Sequence, residues 1–408
     1  MSRSSVQCFE RERLSQVLAV RRLSQMQLAS MVGVSPSTVS KWRSGRQAPE
    51  GNALERLAHV VNVAPEWFTR APSAKLSTPL FRSNLSAHAA ARAMLNARLE
   101  WAQEIALMFS EFVDYPALHL PVRSYTEPEE IAPDEIESAA CECRDLWRIG
   151  QAAIPDLALA IEGAGVILIR EITGVAQIEG LSAWSEALGQ PFIFLSADKD
   201  NGYRSRFDLA HELGHLILHR SMTRSAERDR HKQLEKQAHY FAGAFLLPAQ
   251  TLANEVRIPV TLDDLLLLKR RWGVPVGALI KRLRALEILD EAAEQTLFKR
   301  RSVRWGAKSE PGDGDRLPEQ PRLLRRTLDL LVEENILPLN SIPRQIGLSV
   351  RDIEMLAGLP EGYFQGAPEV VSLARLRSAR GASNTQVAAK STGVLMPFRF
   401  RQGTPSKI

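Results

Sequence analysis

The chain predicts a mainly α fold with a small β-sheet, an α+β layout, on three observations. Helical signals cover most of its 408 residues: apolar positions at three- and four-residue spacing, bounded by capping and breaking residues. Two short runs, residues 166–169 and 191–195, are instead dense in β-branched and aromatic side chains, as buried strands are. The helical period then returns at Ser205 and holds to about Glu294.

In order along the chain, residues 9–70 read as short helices with tight turns. A Pro/Ser segment at 71–83 reads as a linker or docking strap, and 86–115 as one long helix ended by Pro116 and Pro121. Helices are expected near 133–147 and 154–163, and a third strand at 178–184 between the two apolar runs. Residues 302–321 are rich in Pro, Gly and charge and read as irregular, 322–365 as helical. The expected units are 1–70, a connector at 71–127, a central domain at 128–300, a C-terminal helical region at 301–365 and a disordered basic tail at 366–408.

Composition narrows the classes. With 45% apolar and 24% charged residues the chain is neither disordered nor collagenous. It has no 18-residue apolar run and no signal-type N-terminus, so neither a membrane span nor export is expected, and the expected location is cytoplasmic. Three cysteines, Cys8, Cys141 and Cys143, make no disulfide framework and suit a reducing compartment. The net charge of +5 is unevenly placed. Residues 1–70 hold ten bases against five acids, 371–408 hold seven bases and no acid, and the middle is net negative. Nucleic acid is therefore expected at the ends.

Residues 24–42 read SQMQLASMVGVSPSTVSKW. Ser24 and Gln27 form a capping box, and Leu28, Ala29 and Val32 give an inner face. Gly33 suits a left-handed turn, Ser35 with Pro36 starts a second helix, Val39 and Trp42 face inward, and Gly45 ends it. This is a helix-turn-helix pattern. Ser37, Thr38 and Lys41 lie on the outer face near the start of the second helix, with Arg43 after them, where they can reach base edges. Gln25, Ser35, Ser44 and Arg46 complete the candidate contacts, at helix ends that approach phosphates. The segment resembles the Xre/lambda-repressor family over roughly 9–70, including the trailing Leu54, Leu57, Ala58, Trp67 and Phe68. The resemblance implies operator DNA as partner and, since members usually bind two half-sites, a homodimer.

Residues 204–220 read RSRFDLAHELGHLILHR. One helical turn separates His211 from His215, so both imidazoles share a face and can chelate one ion, with Glu212 beside them as a proton acceptor. His219 lies about 12 Å along the helix from His211 and is expected to support rather than ligate. Leu218 and Ser221 stand where a metzincin needs Gly and His, which excludes that class. A third ligand is expected in the next helix, where Glu235, Ala238, Ala242 and Leu246 share a face. Glu235 is the best candidate, and His239, Glu227, Asp229 and His231 are its rivals.

The stretches R-F-D-L-A-H-E-L-G-H-L-I-L-H and E-x-x-A-x-x-F-A-x-x-F-L-L-P resemble the ImmA/IrrE family of metallo-endopeptidases over about 140–260. That resemblance implies a zincin-like domain holding Zn2+ on His211, His215 and Glu235, with Glu212 as general base. The family often carries Asn or Asp where this chain has His239. Substrate is expected to add as a strand on a sheet edge, for which 180–185 is the candidate and an ordinary hairpin the equal alternative; no oxyanion donor is assigned among the candidates Tyr203, Arg204 and His239.

Residues 342–356 echo the N-terminal helix pair, but Asp352 and Glu354 would repel phosphates, so a structural role is expected there. The block Lys299, Arg300, Arg301 and Arg304 and the basic tail could add nonspecific DNA affinity. Together these readings describe a DNA-binding regulator fused to a zinc endopeptidase that cuts a protein, either a helix-turn-helix repressor or itself. Two other classes stay open: a transcription factor whose peptidase-like domain senses a metabolite or metal without turnover, and an antitoxin-like protein that holds a partner.

Overall fold

A computed structural model describes residues 8–77, 89–175, 178–222, 228–306, 309–365 and 399–400. The N-terminal helices are α1 (Arg11–Arg21), α2 (Gln25–Val32), α3 (Pro36–Ser44) and α4 (Gly51–Val61), followed by the long α5 (Ala89–Ser110) and the two-residue β1 (Val113–Asp114). Next come α6 (Pro133–Leu146), α7 (Leu157–Gly163), β2 (Ile167–Glu171), β3 (Gly180–Ser185) and β4 (Gln190–Ser196). Then α8 (Gly202–Leu218), α9 (Arg228–Leu246), α10 (Ala249–Glu255), α11 (Leu262–Trp272), α12 (Val276–Ala285) and α13 (Glu291–Trp305) follow. The order ends with α14 (Leu323–Glu333), α15 (Ile342–Ile346), α16 (Val350–Leu356) and β5 (Arg399–Phe400), which pairs antiparallel with β1. Among the described residues no helix is long and apolar enough to cross a membrane.

The α+β expectation holds, with the expected strands shifted by one or two residues. The sheet has the order β2-β4-β3, with β2 parallel and β3 antiparallel to β4. Alternate residues feed two cores. Ile167, Ile169, Phe192 and Phe194 join α1–α5 and the C-terminal helices, whereas Leu168, Ile193 and Leu195 join α6–α13. Helix extends further than the sequence suggested near 302, because Asp290 caps α13 and the helix runs on to Gly306. Apart from β5, the expected disordered tail lies outside the described residues.

The strap at 71–77 is docked. Gln103 Nε2 donates to Ser73 Oγ (2.9 Å) and the Ala74 carbonyl (2.7 Å), and Ser77 N donates to the Trp184 carbonyl of β3 (2.8 Å). Arg13 adds bonds to the carbonyls of Arg70 (3.1 Å) and Ala71 (3.0 Å) and an ion pair with Glu104.

The α15–α16 pair does not face solvent with its acids. Asp352, 1% exposed, accepts both Arg21 Nη atoms (2.9 and 2.6 Å) and Arg98 Nη1 (2.6 Å). Arg98 also grips Glu171 of β2 through two bonds of 3.0 and 2.6 Å. Ala64 N donates to the Gly347 carbonyl (2.8 Å), and Val63 bridges Leu348. The helix pair therefore serves as structure, joining α1, α5 and the sheet. The basic block after α12 is partly neutralised, with Arg301 paired to Glu310 (3.0 Å) and Arg304 to Asp263 (2.9 Å).

Removing one partner from a buried ion cluster leaves the others uncompensated, so Asp352→Asn should cost about 3–5 kcal/mol of stability. Burial acts to raise the Asp352 pKa, but Arg21 and Arg98 outweigh it and hold it below its ordinary 3.8. A lowered carboxylate pKa stabilises the fold above the unfolded value and ceases to do so as pH falls through the folded one. The wild-type urea midpoint should therefore fall more steeply than that of the Asp352→Asn chain between about pH 5 and pH 2. Parallel curves would show that the Asp352 charge does not carry the cluster.

Candidate metal centre and nucleic-acid interface

Helix α8 starts where Asn201 Oδ1 accepts the Arg204 amide (3.1 Å). It runs beneath the sheet and packs along α9. Gly214 permits that approach: a Cβ there would lie 3.0 Å from Phe241 Cδ1 and 3.1 Å from Phe241 Cβ. Ala238 and Ala242, both fully buried, keep the α9 side equally low.

This packing brings three predicted residues together. His211 Nε2 and His215 Nε2 are 3.1 Å apart, and each lies 3.4 Å from a different oxygen of Glu235. Nitrogen and oxygen ligands at about 2.0–2.1 Å around a tetrahedral ion stand about 3.3 Å from one another. The three groups have the donor chemistry for such an ion, and each of the three separations, taken to the nearer Glu235 oxygen, is close to that value.

A hydrogen-bond chain fixes one of these imidazoles. Gln237 Nε2 donates to the carbonyls of Pro128 (2.7 Å) and Ile131 (3.2 Å), so its oxygen must face His219. His219 Nε2 lies 3.2 Å from that oxygen and donates to it. The His219 Nδ1 lone pair then accepts from His215 Nδ1, 2.9 Å away. His215 Nε2 is left with its lone pair directed at the triangle, as metal ligation requires. His219 thus supports from outside the cluster, as expected, and Gln237 is the member the sequence reading missed. Its only sequence signal is an amide on the buried side of α9, two residues after Glu235.

Burial pushes the His211 pKa down to about 3, so this ring too is neutral near pH 7. Burial likewise holds His219 well below the ordinary histidine value.

Glu212 is buried on the same helix, and its Cγ and Oε1 would meet a Cβ on Gly180 at 3.1 Å. Its carboxyl therefore lies under the start of β3, one of the sheet's two outer strands. Among the rival ligands, Asp229 is exposed and paired with Lys232 (2.9 Å), and Glu227 lies outside the described residues. His231 is not brought into the cluster, whereas His239 is, its ring centroid 4.3 Å from that of His211. Tyr203 is buried at the far end of α8 with Lys269 Nζ 4.6 Å from its ring centre, which takes it away from the oxyanion role; Arg204 lies on that same first turn.

The N-terminal helix pair forms as read. Ser24 Oγ accepts the Gln27 amide (3.2 Å), Gly33 and Gly45 have φ of 76° and 74°, and Ser35 Oγ accepts the Thr38 amide (3.1 Å). Ser35, Ser37, Lys41, Arg43, Ser44 and Arg46 are exposed, and Gln25 and Thr38 half-buried. The Ser35 hydroxyl is within 2.8 Å of both Ser37 Oγ and Thr38 Oγ1, which makes it a cap first.

Residues 161–284 match the IrrE N-terminal-like domain, a peptidase family, and residues 21–68 match the helix-turn-helix family. The chain joins a helix-turn-helix domain to an IrrE N-terminal-like domain. The match to the IrrE-like domain spans the sheet, α8 and α9, and so contains the whole donor triangle. Comparison with curated proteins finds no match to the chain.

The relay makes a prediction. Gln237→Leu keeps the volume but leaves His219 without its acceptor, and should weaken Zn2+ binding about 10–100-fold. Competition with a chromophoric chelator measures it. An unchanged affinity would mean that the His219–Gln237 pair only fills space.

Proposed function

We propose that this protein is a DNA-binding transcriptional regulator whose IrrE-like domain is a zinc-dependent endopeptidase. The observation that carries the reading is the donor triangle of His211, His215 and Glu235, with the His215 tautomer set by His219 and Gln237. Zinc held there would supply Lewis acidity, polarising the scissile carbonyl and easing deprotonation of water. Glu212 takes the proton from the attacking water and returns it to the leaving amine. Its place beneath Gly180 favours proton transfer next to the start of β3, where an extended polypeptide can add, the Trp184 end of that strand being taken by Ser77 of the strap. The substrate class is a protein segment, from a helix-turn-helix repressor or from a second copy of this chain.

The DNA half is proposed to read an operator with α3. Lys41 and the hydroxyls of Ser37 and Thr38 meet base edges, Arg43 follows them into the groove, and Gln25, Ser35, Ser44 and Arg46 hold phosphates.

Two experiments test the two halves. Glu212→Gln should retain zinc yet lose cleavage of helix-turn-helix proteins and of the chain itself, by at least about 100-fold. A wild type that binds no zinc, or that cleaves no faster than the variant, would remove the peptidase reading. Lys41→Ala should weaken operator binding by about 1–3 kcal/mol, and Arg46→Ala should weaken operator and random DNA alike while lowering the salt slope by about one. Unchanged titrations for both variants would place DNA elsewhere.

A further inference from the structure

Helix α9 presents a second donor one turn beyond Glu235. His239 Nδ1 lies 2.8 Å from the Glu235 carbonyl oxygen. A carbonyl can only accept, so Nδ1 carries the proton and Nε2 keeps its lone pair. This is the arrangement in which a histidine ligates a metal: one nitrogen donates to a backbone oxygen and the other faces the ion. One ligand atom each from His211, Glu235 and His239 lie within 4.8 Å of one another. Closing the spread of those three atoms to tetrahedral edges near 3.3 Å asks for a movement of no more than about 1.5 Å, with His215 already 3.1 Å from His211. The His239 ring is packed between the rings of His211 (centroids 4.3 Å apart) and Phe207 (5.8 Å).

The two helices thus contribute matching pairs at the same spacing. His211 and His215 are four residues apart on α8, and Glu235 and His239 are four residues apart on α9. We propose that His239 is a fourth protein ligand, making a closed His3Glu centre. The proposal rests on the metal centre put forward above. A closed four-ligand site leaves no position for water, as in structural rather than catalytic zinc sites. Hydrolysis then waits until a ligand with its own donor oxygen displaces His239. A groove of about 950 Å3 opens beside Glu235 and His239, lined also by Lys232, Lys236, Tyr240 and Lys281.

The test uses the full-length protein loaded with Zn2+ or Co2+, as wild type, His239→Asn and His239→Gln, each first checked for native circular dichroism. X-ray absorption of the zinc form should count three imidazoles in the wild type and two in either variant. The cobalt form should show intense four-coordinate visible bands that change on substitution, and zinc affinity should fall at least tenfold. Acetohydroxamate, which needs open coordination positions, should perturb the cobalt spectrum of the variants at concentrations that leave the wild type unaltered. Two imidazoles in all three proteins, with equal hydroxamate response, would overturn the fourth ligand and leave the three-ligand centre standing. A folded wild type that takes up no metal would bring down both.

Discussion

Everything chemical in this protein depends on how closely α8 approaches α9. The donor groups sit on different helices, and their spacing is set by backbone separation, not by side-chain reach alone. Gly214 is where the separation is decided, because any Cβ there would press on the Phe241 ring at 3.0 Å. The alanines at 238 and 242 do the same from the other side. A wider approach would lengthen both Glu235–histidine separations and break the His219–Gln237 contact in the same movement. Ligand spacing and tautomer control therefore share one packing constraint.

The part of the site that could be read in the sequence is the part that is local. A one-turn spacing puts His211 and His215 on one face whatever surrounds the helix, and a repeating small-residue face points to Glu235 on the next one. His219 was legible only as a residue too far along the helix to ligate. Gln237 was not legible, because its two carbonyl partners, Pro128 and Ile131, lie more than 100 residues earlier in the chain. The same holds for Asp352. Its helix repeats the turn chemistry of α2–α3, and charge alone argued against DNA contact, but its cations, Arg21 and Arg98, are 331 and 254 residues away. Another non-local feature is the exchange of helix caps between the IrrE-like domain and the C-terminal region. Glu162 accepts the amides of Arg322 and Leu323 at the start of α14, and Glu319 accepts those of Leu157 and Ala158 at the start of α7. Capping motifs are visible in sequence only when the cap is adjacent to its helix.

The charge distribution gains a structural meaning. The basic face of α3 is exposed, whereas His211 and His215 are buried beneath the sheet with Glu235 half-buried beside them, so the two candidate sites occupy separate surfaces. The Arg13, Arg21 and Arg98 side chains, part of the basic balance, are spent on carboxylates inside the fold: Glu104, Asp352 and Glu171. Net charge overstates what is available to a polyanion, and the relevant count is of exposed, unneutralised bases such as Lys41, Arg43 and Arg46.

That internal use of arginine also decides how the two halves can move. A DNA-reading domain on a free linker could reorient without cost to the peptidase-family domain. Here α1 is held to α16 by the Arg21–Asp352 pair, and α16 to β2 through Arg98 and Glu171. The strap at 71–77 is hydrogen-bonded to α5 and to the edge strand. Buried ion pairs are strongly destabilising to open one partner at a time, by about 3–5 kcal/mol. Independent swinging of the helix-turn-helix is therefore disfavoured, and the N-terminal bundle is held to α16 and the sheet alike. The sheet is where the two regions meet most directly: β2 carries Glu171 on one side of β4, and β3 covers Glu212 on the other.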